Sequence, residues 1–146
     1  MSFRIESKEQ FVELWNNIYK TESKPDWSHM IRFYDDNIYF RDSIQELRGI
    51  EEFKAMTERL VKRSKDLQMK MVNIIFEDNI IFFEWEMGLS FMKSPHSKIF
   101  GASRMTLNNN GKIIDQRDYY DLWGDILDSI SGLGKGYRKF MRKMFG

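Results

Sequence analysis

The sequence predicts an α+β domain, with helices packed on one concave face of a curved, mainly antiparallel sheet. Two observations carry this. The spacing of apolar residues changes from a helical period in the first 61 residues to strict alternation from Leu67 onward, and helices precede strands instead of alternating with them. A third is that the later segments are separated by short turn-forming runs, Glu-Asp-Asn, Lys-Ser-Pro-His-Ser and Asn-Asn-Asn-Gly, as hairpins require.

The elements follow in order. Between Ser7 and Tyr19, Phe11, Val12, Trp15, Ile18 and Tyr19 recur at threes and fours behind a Ser7 cap with Gln10 three positions on, which predicts an amphipathic helix with a capping-box start. Thr21 to Pro25 interrupts it. Trp27, Met30, Ile31 and Tyr34 then resume helical spacing as far as Asp35-Asp36-Asn37, a turn signal. Ile38 to Arg41 alternates as a short strand, Asp42 to Arg48 reads as a loop, and Gly49 introduces a helix that buries Ile50, Phe53, Met56, Leu60 and Val61. Strands are predicted at Leu67–Glu77, Ile80–Met92, Ile99–Leu107 and Ile113–Trp123.

Composition bounds the rest. A chain of 146 residues with 12 Phe, 6 Tyr and 4 Trp supports one hydrophobic core, and its 42% apolar content excludes wholesale disorder. A net charge of +1 disfavours a broad nucleic-acid-binding surface. The absence of Cys removes disulfides and thiolate chemistry, and two His, at 29 and 96, offer little for a metal; no metal and no cofactor are expected. The N-terminal residues carry charges where an export signal is apolar, and no apolar run approaches the ~18 residues of a membrane span, so the cytoplasm is the expected compartment. The charge is unevenly divided. Residues 1–128 carry 18 basic and 22 acidic side chains, whereas residues 129–146 carry five basic and none acidic, interleaved with apolar residues at helical spacing. The chain therefore divides into a domain over 1–128 and a basic amphipathic appendix over 129–146, joined by the glycine-rich hinge Gly132 to Gly136. The appendix is expected to close the mouth of the sheet or extend a dimer, with contact to anionic lipid or to an acidic partner as the competing role.

Alternation sorts the strand residues. One phase, Ile81, Phe83, Trp85, Met87, Leu89 and Phe91, faces inward, joined by Ile99, Gly101, Ser103, Met105 and Leu107 and by Ile114, Gln116, Asp118, Tyr120 and Leu122. Gln116 and Asp118 break the apolar pattern, and a buried carboxylate must find hydrogen bonds or take up a proton. Asp118 is thus the leading candidate for acid–base chemistry in an internal pocket; the competing role is pairing with Arg104, Arg117 or helix-end amides. Asp42 and Tyr120 are further catalytic candidates, Asp42 competing with a turn-forming role. Trp15, Tyr19, Trp85, Met87, Ser103, Met105 and Gln116 are the candidate pocket lining, which equally serves as core. His29 reads as a solvent-facing or satisfied imidazole. On the opposite face Ile80, Phe82 and Phe100 stand exposed in a monomer, so a homodimer packed through the outer sheet is expected.

Three runs carry a resemblance: Phe33 to Asp42, Leu47 to Phe53 and Asn110 to Asp121. On these the sequence resembles the nuclear transport factor 2-like superfamily, in particular its SnoaL-like branch, over residues 8 to 125. The resemblance implies a cone-shaped half-barrel enclosing a pocket, often dimeric, and a family of isomerases, cyclases, hydrolases and non-catalytic binding domains. Asp42 is similar in position to the general base of ketosteroid isomerases, while Ser103 and Leu14 stand where those enzymes carry their oxyanion-binding aspartate and tyrosine. The run Arg117 to Asp121 looks like the closing strand of limonene epoxide hydrolase, with Trp85 and Met87, or Glu84 and Glu86, at the positions of its partner arginine and aspartate. The expected function is binding of a small apolar molecule, with cofactor-free acid–base chemistry on it; the alternative is a non-catalytic module binding a ligand or a protein.

Overall fold

In the computed structural model, the described residues are 2–21, 24–63, 66–91, 94–126, 130 and 132–146, and the side chains of 89–91, 94–97, 123 and 126 fall outside the description. Helix α1 (Lys8–Tyr19) starts at Ser7, whose backbone is extended and whose side-chain hydroxyl accepts the Gln10 amide at 3.2 Å. Gln10 Oε1 reaches back to the Glu6 amide at 2.7 Å. The reciprocal bond of a capping box is therefore made one residue before the cap. Phe11, Trp15, Ile18 and Tyr19 form its buried stripe.

A four-residue helix, α2 (Ser28–Ile31), leads into β1 (Tyr34–Arg41). The expected helix through Tyr34 and the turn at Asp35-Asp36-Asn37 are both corrected here: Tyr34 opens the strand, and the turn-forming residues make a bulge within it. The bulge is the register shift between Tyr34 and Tyr39, with Asp35 accepting the Asn37 amide. Asp42 reverses the chain, so Glu46–Arg48, expected as loop, pairs back on β1 as β2. Gly49, at φ +90°, donates to the Ile38 carbonyl and launches α3 (Ile50–Arg63); a side chain there would be strained. The fully buried Phe53 of α3 packs its ring on Tyr34, Trp27 and Phe40.

Strands β3 (Gln68–Glu77), β4 (Ile80–Phe91), β5 (Ser94–Leu107) and β6 (Ile113–Tyr120) are joined as antiparallel hairpins. Ser94, expected in a loop, begins β5 because the ladder with β4 continues to Phe91. Strand β6 stops at Tyr120, short of the expected Trp123, and the chain enters a π-helical turn at Leu122–Ile126. Helix α4 (Leu133–Phe145) follows. The expected inward positions Leu89 and Phe91, the strand end at Met92, the division at residues 128–129 and the His96 side chain lie outside the described residues.

The six strands form one curved, unclosed mixed sheet in the order β2-β1-β6-β5-β4-β3, and with four α-helices the fold is α+β. The one parallel pairing among these strands is β1 with β6. Helix α1 lies against β3 and α2, and α3 against β1 and β2. Burial follows the predicted phase through β4 and β5: Ile81, Phe83, Trp85, Ile99, Ser103, Met105 and Leu107 are all buried. In β6 the phase slips. Ile113, not Ile114, is buried, because a bulge between Thr106 and Leu107 resets the register before Gln116 and Asp118. A further bulge between Met71 and Asn73 moves the inward side of β3 from Met69 and Met71 to Ile74 and Phe76.

On the outer face Ile75, Ile80, Phe82 and Phe100 are exposed. Beside them Arg41, Arg117 and Arg104 stand in register across β1, β6 and β5. Asp115 pairs with Arg104 at 2.7 Å and with Arg41 at 3.7 Å. Among the described residues no helix is long and apolar enough to cross a membrane.

Gly101 is required by packing. A Cβ there would stand 2.5 Å from the Trp85 ring and 2.8 Å from the Tyr119 carbonyl, whereas one at Gly88 meets nothing within 4 Å. Gly101→Ala is therefore expected to lower stability by about 1–3 kcal/mol, the usual cost of overpacking, and Gly88→Ala to change it by well under 1 kcal/mol. Urea unfolding of the two variants checks this.

Candidate functional site

Strand alternation brings Trp85, Ser103, Gln116, Asp118 and Tyr120 to the concave face, and the parallel pairing of β1 with β6 adds Tyr34 and Asp42 from the other half of the chain. Ser103 is the direct register partner of Asp118. Its hydroxyl donates to Asp118 Oδ1 at 2.7 Å, and Gln116 Nε2 donates to the same oxygen at 3.0 Å. Each donor is itself held. Trp85 Nε1 donates to Ser103 Oγ at 2.9 Å, and the Tyr34 hydroxyl donates to Gln116 Oε1 at 2.7 Å. Two short relays of neutral groups thus converge on one carboxylate oxygen. Among the described residues no donor reaches Oδ2.

Neither expected arginine reaches Asp118: Arg104 is engaged by Asp115, and the Arg117 guanidinium lies over the Tyr119 ring. Asp118 is surrounded by protein yet partly accessible, and that burial pushes its pKa up to about 6. The Gln116 and Ser103 hydrogen bonds hold it down against burial, and the nearby Asp42 charge adds to the rise. Burial and the Asp118 charge also drive the Tyr19 hydroxyl well above its ordinary value, so Tyr19 stays a neutral phenol. Tyr34 is raised by the same two causes and by Tyr19.

Asp42 does two things at once. Its Oδ1 accepts the Ile44 and Gln45 amides, the Asx turn that starts β2, while Oδ2 accepts the Tyr120 hydroxyl at 3.1 Å. Burial raises Tyr120, a hydrogen bond from Ser43 partly offsets this, and the Asp42 and Asp118 charges raise it further. Tyr120 is thus a donor, not an anion, throughout the physiological range.

The remaining candidates are distributed more widely. Trp15 is buried against Phe11, Phe83 and Trp27 with its Nε1 on the Met69 sulfur, Met105 is fully buried, and Met87 is partly buried against the core. Trp85 contacts the Tyr120 ring at 6.1 Å between centroids. His29 Nε2 donates to the Leu14 carbonyl at 2.9 Å and ties α2 to α1. Sequence reasoning missed Tyr34 and Ser43. Tyr34 had a legible signal in hindsight, since a buried tyrosine needs a partner for its hydroxyl and Gln116 lacked one. A depression of about 400 Å³ lies at the sheet end near Arg4, Asn79 and Gly111, and one of about 260 Å³ beside α4; Asp118 lines neither. Among the described residues no group of three or more His, Asp or Glu is placed to hold a metal ion.

The model of the SnoaL-like domain matches residues 9–116. No curated protein matches the chain. Among solved structures, a protein of ketosteroid isomerase-like fold from Catenulispora acidiphila DSM 44928, in complex with trimethylamine, is similar with TM-score 0.70 and 15% identity, covering 87% of this chain and 95% of that one. An epoxide hydrolase of M. tuberculosis, LEH-like, has TM-score 0.64 and 18% identity, covering 92% and 94%. A SnoaL-like polyketide cyclase candidate from Jannaschia sp. CCS1 has TM-score 0.66 and 19% identity, covering 88% and 98%. At these identities the likeness is one of fold.

The raised pKa of Asp118 has a stability consequence of definite sign. The folded chain holds this proton more tightly than the unfolded chain, so burial of the carboxyl costs nothing below about pH 4 and progressively more as pH rises through about 6. Asp118→Asn keeps an acceptor for Ser103 and Gln116 without the charge. Relative to wild type it is expected to gain roughly 2–3 kcal/mol between pH 4 and pH 7, read from urea midpoints at both pH values.

Proposed function

The chain belongs to the SnoaL-like domain family, and from that premise we propose that it binds a small apolar molecule in a pocket between its helices and concave sheet face and moves a proton on it, with Asp118 as the acid–base group. One observation carries the reading: Asp118 has one oxygen fixed by two neutral donors and the other, among the described residues, without a donor, and burial brings its pKa to about 6. A carboxylate so placed is largely ionised at neutral pH yet far more basic than one in water. Its free Oδ2 takes a proton from a carbon acid or from a water molecule. Tyr19 and Tyr120 are kept neutral by burial and neighbouring charge, and Tyr120, on turning its hydroxyl proton from Asp42 Oδ2, meets negative charge growing on a substrate oxygen. The reaction class is isomerase, cyclase or hydrolase, and the chain's own residues supply the groups it needs without a cofactor. The absence of Cys agrees with work in the reducing cytoplasm.

The test is turnover of a panel comprising a terpene epoxide, a β,γ-unsaturated ketosteroid and an aromatic polyketide ester. With Asp118 as base, kcat/KM falls below about pH 6, and Asp118→Asn lowers it by about 10²–10⁴-fold without loss of fold. Ser103→Ala, by removing a donor to the ionised form, moves the midpoint of the pH profile upward. Retention of a co-purified apolar ligand by Asp118→Asn, with no turnover of the panel by wild type, selects the non-catalytic binding module instead.

The same reading includes a homodimer through the outer sheet face. Exposed Ile75, Ile80, Phe82 and Phe100 form its apolar surface, with the arginine row running out from Phe82 and Glu86 beside Phe100. Sedimentation velocity is expected to give a dimer for wild type and a monomer for Phe100→Asp.

A further inference from the structure

Helix α4 is amphipathic in an unusually complete way. At 3.6 residues per turn, Leu133, Tyr137, Phe140, Met141, Met144 and Phe145 share one arc of roughly 140°. Lys135, Arg138, Lys139, Arg142 and Lys143 occupy the adjoining arc of similar width. The helix touches the π-helical turn: Gly134 is buried, Tyr137 and Met141 are half-buried, and Arg138 donates to the Gly124 carbonyl at 3.4 Å. That contact leaves much of the apolar arc uncovered. Leu133, Phe140 and Met144, in line at i, i+7 and i+11, are 53%, 57% and 57% exposed, and Phe145 is 78% exposed. All five basic side chains are exposed as well, and no acidic residue lies on the helix.

We propose that α4 lies in the plane of an anionic lipid surface, with Phe140, Met144 and Phe145 entering the acyl boundary and Lys139 and Lys143 at the headgroups. A nucleic acid, or a protein surface that is acidic without an apolar groove, is drawn by the lysines alone and leaves the aromatic and methionine side chains in water. A lipid surface accepts both faces of the helix, since its charge is at the headgroups and its apolar phase lies directly beneath.

The experiment is co-sedimentation of the full chain with phosphatidylcholine vesicles, with and without phosphatidylserine. Binding is expected to require phosphatidylserine and to weaken with salt. It should fall at least roughly tenfold in Phe140→Ser/Met144→Ser and, separately, in Lys139→Glu/Lys143→Glu. All four positions are exposed, so an unchanged unfolding midpoint confirms that each variant folds. Failure of the wild type to sediment with anionic vesicles overturns the proposal. So does loss in the charge variant with full retention in the Phe140→Ser/Met144→Ser variant, a result that assigns the helix to an acidic protein or nucleic acid; binding to soluble heparin then separates the two from lipid.

Discussion

The parallel pairing of β1 with β6 is the constraint on which the site depends. The hairpins from β3 to β6 define a sheet by local connection, but they supply Asp118 with only Ser103, Gln116 and Trp85. Setting Phe40 beside Gln116 and Arg41 beside Arg117 brings Tyr34 under the Gln116 carbonyl and carries Asp42 to the Tyr120 hydroxyl. Pairs separated by 82 and 78 positions in the chain thereby hydrogen-bond, the first within the Asp118 relay and the second next to it, where the Tyr120 ring meets Trp85. A carboxylate held by neutral donors on a desolvated face needs this second strand, because the donors must themselves be oriented or they turn away to other partners.

Much of the architecture was legible because each of its signals is local. The Ser7 cap, the stripe of α1, the period-two runs of β4 and β5 and the phase that turns Trp85 and Ser103 inward are all set by neighbouring residues. What was illegible involved partners distant in sequence or a change of register. Asp35-Asp36-Asn37 carries turn chemistry, and a bulge uses the same chemistry without reversing the chain. The three residues of β2 have no pattern of their own and become a strand only because Asp42 folds them back on β1.

The site residues divide the same way. Gln116 and Asp118 announce themselves by interrupting an apolar phase, and that interruption is visible in one dimension. Which charges meet them is not. Arg104 and Arg117 neighbour Asp118 in sequence or in register, yet alternation sends them to the opposite face, where Asp115 and the Tyr119 ring receive them. The neutral surroundings of Asp118 follow from that parity, and they separate a carboxylate whose proton is exchangeable near pH 6 from one locked in an ion pair.

The bulge between Met71 and Asn73 matters beyond the phase it resets. Strand β3 is the long edge of the sheet, ten residues whose outer backbone groups have no neighbouring strand among the described residues, with Val72 and Ile75 exposed beside them. A straight, apolar edge of that length is a template on which further chains can zip into aggregates. The extra residue at the bulge bends and twists the strand midway, and the opposite edge, β2, is only three residues long. The sheet therefore ends on both sides in edges poorly suited to extension.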